Sequence, residues 1–269
     1  MSVPFTYALQ RDVIVATGKD TRSFLHSQLS NDIAGLAVGA TTHAFALEPT
    51  GKIAALLRVH CVADDHFVLD TDVGQGASAI ARLSKFKIRV KCEFVATTQT
   101  VAALRGLTAE LRSELLTKPG VVPAWRASDG AVDAFDNTDA IDATLRQGSD
   151  HDYHAERVRC AWPVFGVDID TTSLPAETGL ADVAVSFTKG CYPGQELVER
   201  MDSRGSTAPH LLMRLPRVAN PLTNTSAVAG EQYVAGGTEL GVCTSVAGDF
   251  ALVQVRRACL GQAEQLNLS

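Results

Sequence analysis

The sequence predicts an α+β fold, on three observations. Strand-like runs in its first part follow one another through tight turns, as adjacent hairpins do, instead of alternating with helices as in a doubly wound sheet. Short strand-like runs recur at close spacing after residue 205. The composition is that of a chain able to bury a core, with 46% hydrophobic and 20% charged residues over 269 positions. The 24 basic and 30 acidic residues leave a net charge of −6, which argues against general nucleic-acid binding while leaving a local basic patch open. No apolar run approaches the roughly 20 residues of a membrane span. The N-terminus lacks a basic stretch followed by an apolar one, so a cytoplasmic protein with free thiols is expected.

Taken in order, Val13-Ile14-Val15 is a β-branched run ending at Gly18. Asp20 is expected to cap the next helix, its carboxylate accepting first-turn N–H groups. Phe24, Leu25, Gln28 and Leu29 give that helix an apolar stripe, which stops near Asn31-Asp32. Residues 42–47 read as a strand, Glu48-Pro49-Thr50-Gly51 as a turn, and residues 53–62 as the returning strand. Asp64-Asp65 turns the chain into a third strand over 66–70. Ala77, Ile80, Ala81 and Leu83 suggest a helix. Residues 87–95 alternate basic and apolar side chains, as in a half-buried strand. On that strand Lys85, Lys87, Arg89 and Lys91 read as a solvated face, or as a patch for a polyanionic tail.

Residues 104–116 have helical spacing, stopped by Lys118-Pro119-Gly120. Residues 125–127 and 131–135 bracket Ser128-Asp129-Gly130 as a hairpin, and Asp150-His151-Asp152 starts a helix through His154 and Arg157. Residues 211–215, 232–234, 240–244 and 250–256 read as the short strands of a small β-barrel or sandwich. The chain is therefore divided near Gly205, into an α+β region at 1–205 and a β-barrel at 206–269.

The chemistry concentrates in Lys189-Gly190-Cys191-Tyr192-Pro193-Gly194-Gln195-Glu196. Two glycines and a proline make a tight loop, and a helix follows from Gln195. A cysteine just before a helix start and two positions from a lysine sits where thiolate is favoured over thiol. The competing reading is a small buried filler. None of the six cysteines forms a Cys-x-x-Cys pair, and His151 and His154, beside Asp150 and Asp152, lack a third strong ligand nearby, so no metal is expected. Arg157 and Arg159 suit a carboxylate ligand, or ion pairs with Glu156 or Asp152. Glu177 suits a heterocycle's donors, or solvent.

The octapeptide resembles the K-G-C-Y/F-x-G-Q-E signature of the YgfZ branch of the YgfZ/GcvT family, folate-binding proteins connected to iron–sulfur cluster assembly or repair. The similarity extends to Phe24-Leu25, Gln28 and Asn31-Asp32, to the hairpin turn Pro49-Thr50-Gly51-Lys52, to residues 157–166 and to residues 174–180. It covers about three quarters of the chain. Ala161 stands where the R-I/L-x-x-G pattern carries glycine, and Pro209-His210 replaces basic residues.

The resemblance implies two interlocked, partly ferredoxin-like α+β lobes and a C-terminal β-barrel around a central opening. It implies tetrahydrofolate, or a one-carbon derivative, bound there by Arg157, Glu177, Tyr192, Gln195, Glu196 and Asn31, with Lys189 and Cys191 at the rim as reactive groups. Iron–sulfur client or assembly proteins are the implied partners. Aminomethyltransferases of the wider family carry paired acids after the hairpin glycine. Here Gly51-Lys52-Ile53-Ala54-Ala55-Leu56 has none, and neither Ala55 nor Leu56 can move a proton. The expected function is thus an accessory role in iron–sulfur protein maturation. A folate-dependent aminomethyltransferase or demethylase is the alternative, its carboxylate coming from Asp32, Glu48 or Glu177.

Overall fold

A computed structural model of the chain describes residues 3–135, 145–203, 208–217, 219–220 and 225–268. In chain order the first elements are β1 (Phe5–Thr17), α1 (Thr21–Gln28), β2 (Thr41–Leu47), β3 (Ile53–Ala63), β4 (His66–Asp72), α2 (Gly76–Ser84) and β5 (Glu93–Arg105). Next come α3 (Ala109–Leu115), β6 (Val121–Pro123), β7 (Val132–Ala134), β8 (Arg146–Gln147), α4 (Asp150–Arg159), α5 (Ala181–Ala184) and α6 (Gln195–Ser203). The last are β9 (His210–Pro216), β10 (Ala219–Asn220), β11 (Thr225–Ser226), β12 (Gln232–Ala235), β13 (Thr238–Ala247), β14 (Phe250–Arg256) and α7 (Leu260–Leu268).

The architecture is mixed α and β. Seven strands order as β2-β3-β4-β1-β5-β7-β6, every neighbour antiparallel, and β8 joins β1 in parallel. β1 and β5 pair in register from Phe5 with Arg105 to Thr17 with Glu93. Alternation splits their side chains between two faces. On one face Ile14, Ala16, Leu57, Val59, Phe67 and Leu69 pack under Phe24, Leu25 and Leu29 of the first helical segment and Ala79 and Leu83 of α2. On the other, Phe5, Leu56 and Ala103 join Tyr153, Val158, Trp162, Leu212 and Leu252, so the first sheet, α4 and the last sheet share one core. The last sheet orders as β12-β13-β14-β9 and has a second core with Ala263 of α7 on its other side. Among the described residues β12 and β9 do not pair with each other, so these four strands form an open sheet and not a closed barrel.

Several expectations are corrected. β1 starts eight residues before Val13, because its polar half is paired along its whole length by β5. Asp20 does not cap α1; its carboxylate accepts the Lys91 N–H at 2.9 Å. Residues 87–92 are a loop and the strand begins at Glu93. Arg89 turns through φ +59° there, and Ile88 is left 76% exposed. Residues 104–105 end β5, and the helix expected over 104–116 is confined to Ala109–Leu115, capped by Thr108. The later hairpin pairs β6 with β7 around Gly130, two residues or more before the expected first arm. α4 forms as expected, with Ser149 and Asp152 making a reciprocal capping box. The boundary near Gly205 lies outside the described residues.

Candidate functional site

The signature loop is fixed on two sides. From below, the Lys189 ammonium donates to the carbonyl oxygens of His26 and Leu29, the latter at 2.6 Å, at the C-terminal end of α1. Cations are favoured at that end of a helix, where carbonyls lack partners. Burial pushes the Lys189 ammonium down to about 8, with Asp32 pulling the other way. The residues before the loop are held too: Ser186 N–H donates to Ser30 O at 2.9 Å, and Ser30 Oγ donates to Ala184 O at 2.6 Å. The Asn31 amide donates to His43 O at 2.8 Å and Val183 O at 3.0 Å.

From the side, two glycines meet. Gly194 has φ +84°, and a Cβ there would lie 2.7 Å from Glu48 O and 3.0 Å from Gly51 Cα. Gly51 has φ +80°, and its Cβ would lie 2.8 Å from Leu197 Cδ2. The hairpin turn at 48–51 and the start of α6 therefore touch backbone to backbone, which only glycine permits. Tyr192 is buried in the shared core, and burial pushes its phenol up to about 12. Its N–H donates to Gln195 Oε1 at 3.3 Å. Between these fixed points Cys191 is exposed, whereas Cys61, Cys92, Cys160 and Cys243 are buried and Cys259 is intermediate.

The remaining expected ligand residues lie elsewhere. Arg157, 4% exposed, donates to Asp168 Oδ2 at 2.8 Å, Ser245 Oγ at 2.6 Å, Trp162 O at 3.2 Å and His154 Nδ1 at 3.0 Å. It ties α4 to β13. Glu177 accepts the Leu174 N–H at 2.8 Å and caps a short turn. Glu196 points to solvent and pairs with Arg200. The structure thus brings Lys189, Cys191, Tyr192 and Gln195 together, with Asn31 on the neighbouring strut. It does not bring Arg157, Glu177 or Glu196 to a common ligand site with them. Arg159 pairs with Glu156 at 2.6 Å. Among the described residues no group of three or more side chains is placed to hold a metal ion.

Sequence reasoning missed a buried charge network at the centre of the first sheet. Arg58 grips both oxygens of Asp70 at 2.8 and 3.0 Å and reaches Asp133 at 2.8 Å. Arg105 pairs with the other Asp133 oxygen at 2.8 Å and lies over Trp125 at 4.3 Å. Arg11 reaches Asp70 at 2.8 Å and also pairs with Asp72. Three arginines thus face three aspartates. Desolvation opposes the Asp133 charge, yet Arg105 and Arg58 outweigh it and hold that carboxyl down at about 2. His43, with Nε2 3.2 Å from Ala124 O, is pushed down to about 3 by burial and by Arg58, and stays neutral. The only sequence signal was three acids and three bases spread over five strands, which topology alone brings together.

All of these groups but Asp70 line a narrow cleft of about 20 Å³ together with Trp125, Tyr153 and Trp162. A larger cavity of about 510 Å³ opens on the same side of the sheet, with Val13, Val68, Asp70 and Phe135 among its walls. No residue of the signature loop lines either one. Lys189 is turned to the end of α1, and Cys191 to solvent.

No family model matches the chain. It is 27% identical over 223 residues to "Iron-sulfur cluster assembly factor IBA57 homolog, mitochondrial" of Mycosarcoma maydis, covering 72% of this chain and 53% of that protein. It is 26% identical over 245 residues to "tRNA-modifying protein YgfZ" of Vibrio vulnificus, covering 82% and 72% of the two chains. The crystal structure of the glycine cleavage system aminomethyltransferase T from Bartonella henselae superposes with a TM-score of 0.76 over 96% of this chain and 79% of that one. At 17% identity that likeness is one of fold.

Proposed function

The chain is YgfZ/GcvT-like, and from that premise we propose that it is an accessory protein of iron–sulfur cluster assembly or repair, with the Cys191 thiol as its working group. One observation carries the reading: of six free cysteines, the exposed one stands in a loop clamped by Lys189 below and by Gly194 against the hairpin turn. A thiol is a soft ligand and a nucleophile once deprotonated. Holding it on a fixed loop, in reach of another protein, suits exchange with a cluster or a client thiol. Lys189 acts as a positioning residue, since two of its three donors go to the end of α1. Iron–sulfur client or assembly proteins are the proposed partners. Residues 1–205 are assigned to two interlaced lobes and 206–269 to a β unit, which the separate core behind the last sheet supports.

Tetrahydrofolate, the ligand the resemblance implies, supplies a one-carbon carrier when bound. The residues expected to hold it do not fit that task as they stand. Arg157, Asn31 and Glu177 are occupied by protein groups. The cleft among the arginines is far below the roughly 300 Å³ of the smallest usual ligand sites. The transferase alternative lacks its acid as well. Asp32 accepts the Gly35 N–H at 3.0 Å, Glu48 pairs with Lys85 at 3.3 Å and Glu177 caps a turn, while Ala55 and Leu56 are buried and apolar.

The test is Cys191→Ala in cells that depend on this protein, read as the activity of iron–sulfur enzymes. The expected result is lost support with unchanged thermal stability. Undiminished support from the alanine variant would remove the thiol, and this reading, from consideration.

A further inference from the structure

The loop that follows α2 is both basic and apolar, and the function proposed above leaves it unused. Residues 76–92 carry five basic side chains and no acidic one, in a chain whose net charge is −6. Arg82 is buried and donates to Leu47 O at 2.7 Å. The other four, Lys85, Lys87, Arg89 and Lys91, alternate with Phe86, Ile88 and Val90. Half-buried Val90 packs into the core under α1 and α2, whereas Phe86 and Ile88 are 39% and 76% exposed. The Phe86 ring is steadied by the Arg82 guanidinium, 4.6 Å from its centroid. An apolar pair set among cations at the surface marks a contact site more than a solvated loop.

The cations are largely unclaimed. Lys85 meets Glu48 at 3.3 Å and Lys87 meets Glu93 at 2.9 Å, each pair with an exposed member, and such pairs hold weakly. Among the described residues no ion pair engages the Arg89 or Lys91 side chain. Arg89 stands at φ +59°, a conformation that glycine adopts without strain, so the turn carries a guanidinium that its backbone does not call for. Lys91 is joined to the start of α1 through main chain: its N–H donates to the Asp20 carboxylate at 2.9 Å, and its carbonyl accepts the Asp20 N–H at 3.2 Å. Exposed Lys19 therefore lies beside it. At its other end the loop abuts the hairpin turn that supports the signature loop. Glu48, which Lys85 meets, is the residue whose carbonyl oxygen Gly194 approaches, and Arg82 holds Leu47 O one position earlier. The basic loop and the Cys191 loop thus flank one turn.

We infer that residues 85–91 are a docking surface for an acidic segment of a partner protein, whose apolar side chains cover Phe86 and Ile88 and whose carboxylates meet Arg89 and Lys91. The partner is the protein whose thiol or cluster Cys191 serves, and this identification rests on the function proposed above. Complementary charge brings such a segment to an otherwise acidic chain and fixes its register. A protein segment suits the alternation better than a polyphosphate or a lipid surface does. Covering Ile88 takes apolar atoms, which a phosphate backbone lacks. A flat anionic bilayer would press on Glu48 and Glu93 as well, whereas a segment can place its acids on Arg89 and Lys91 alone.

The experiment is fluorescence anisotropy of the full chain with a labelled peptide of alternating leucine and glutamate, beside the same peptide with lysine for glutamate, poly(U) RNA and phosphatidylserine vesicles. The glutamate peptide should bind, more weakly as salt is raised. Arg89→Gly combined with Lys91→Ala should weaken it at least tenfold, and Ile88→Ser several-fold. Glycine suits the left-handed turn, so the urea midpoint should not fall. Cys191→Ala should bind the peptide unchanged. In cells the loop variants should lower iron–sulfur enzyme activity with Cys191 intact. No binding of the glutamate peptide, binding that the loop variants leave unchanged, or a preference for RNA or vesicles each overturns the docking surface. Loop variants that lose the peptide yet keep full enzyme support, where Cys191→Ala loses it, overturn the identification of the partner and leave the thiol reading standing. Enzyme support undiminished in Cys191→Ala but lowered in the loop variants does the reverse: the docking surface stands and the thiol reading falls.

Discussion

At the charged centre of the first sheet, side chains set the positions: Arg58, Arg105 and Arg11, from three strands, lock Asp70 and Asp72 of β4 and Asp133 of β7. At the Cys191 loop the backbone does so, through two glycines in left-handed conformations and a lysine that donates to main-chain carbonyls. The first region is buried and its groups have no freedom left. The second holds its neighbours rigid so that one side chain can be free. The difference separates a centre locked by side chains from a loop fixed by its backbone that leaves one thiol exposed.

The sharpest way to break that comparison is Arg58→Ala. It strips one partner from Asp70 and one from Asp133 inside the sheet. Removing one member of a buried ion pair costs about 3–5 kcal/mol, because a charge is left uncompensated. Arg11 and Arg105 still face the two carboxylates, so a loss near the lower limit is expected from urea midpoints. A loss under about 1 kcal/mol would mean that the network contributes little cohesion.

The acid limb gives the next effect. His43 has an ordinary value of 6.5 and is pushed down to about 3 in the folded chain by burial and then by Arg58. Below pH 6.5 the unfolded chain takes up a proton that the folded chain refuses. Stability therefore falls as the pH drops from about 6.5 towards 3, at roughly 1.4 kcal/mol per unit once well below 6.5. Asp133, lowered from 3.8 to about 2, adds to the loss between those values. His43→Gln should flatten the upper part of this fall when urea midpoints at pH 7 and pH 4.5 are compared. An equal fall in the variant would assign the acid limb to other groups.

The two regions also differ in how legible they were. The loop could be read because its chemistry is local: Lys189, Cys191, Gly194 and Gln195 sit within seven positions, and helix α6 starts where expected. The network could not, because Arg58, Asp70 and Asp133 come from β3, β4 and β7, and strand order alone makes them neighbours. Periodicity misled at 87–95. Alternating basic and apolar residues suit a strand, but the Arg89 turn and the Asp20–Lys91 contact make a loop of them. The polar run at 97–100 hid the middle of β5, whose pairing with β1 is a tertiary fact. For Arg157 the sequence offers Glu156, Asp152 or a ligand carboxylate, because its actual acid, Asp168, lies nine residues beyond the end of α4.

A smaller effect sharpens the backbone side of the comparison. Gly194→Ala forces a Cβ against Glu48 O in a left-handed conformation, at an expected cost of about 1–3 kcal/mol. Gly190→Ala, one position before Cys191, has nothing within 4 Å of the new atom and should change stability by less than about 0.5 kcal/mol. Melting temperature and the rate of iodoacetamide labelling at Cys191 should both respond to the first substitution and not the second. Equal responses would deny that the hairpin turn supports the loop.

The smallest effect tests whether a backbone-defined position tolerates the wrong residue. Ala161 sits at φ +53° just past α4, with its N–H on Val158 O at 3.0 Å and the Trp162 N–H on Arg157 O at 2.9 Å. This is a Schellman turn, whose left-handed residue is usually glycine. A side chain there costs about 1–2 kcal/mol. Ala161→Gly relieves that strain but loosens the unfolded chain by about 0.4–1 kcal/mol. It also gives up a partly buried methyl group against the shared core. The net expected gain is about 0.5 kcal/mol, read as a slight rise in urea midpoint with an unchanged slope. A loss instead would mean that the methyl contact outweighs the strain, so that side-chain packing sets this turn as it sets the network.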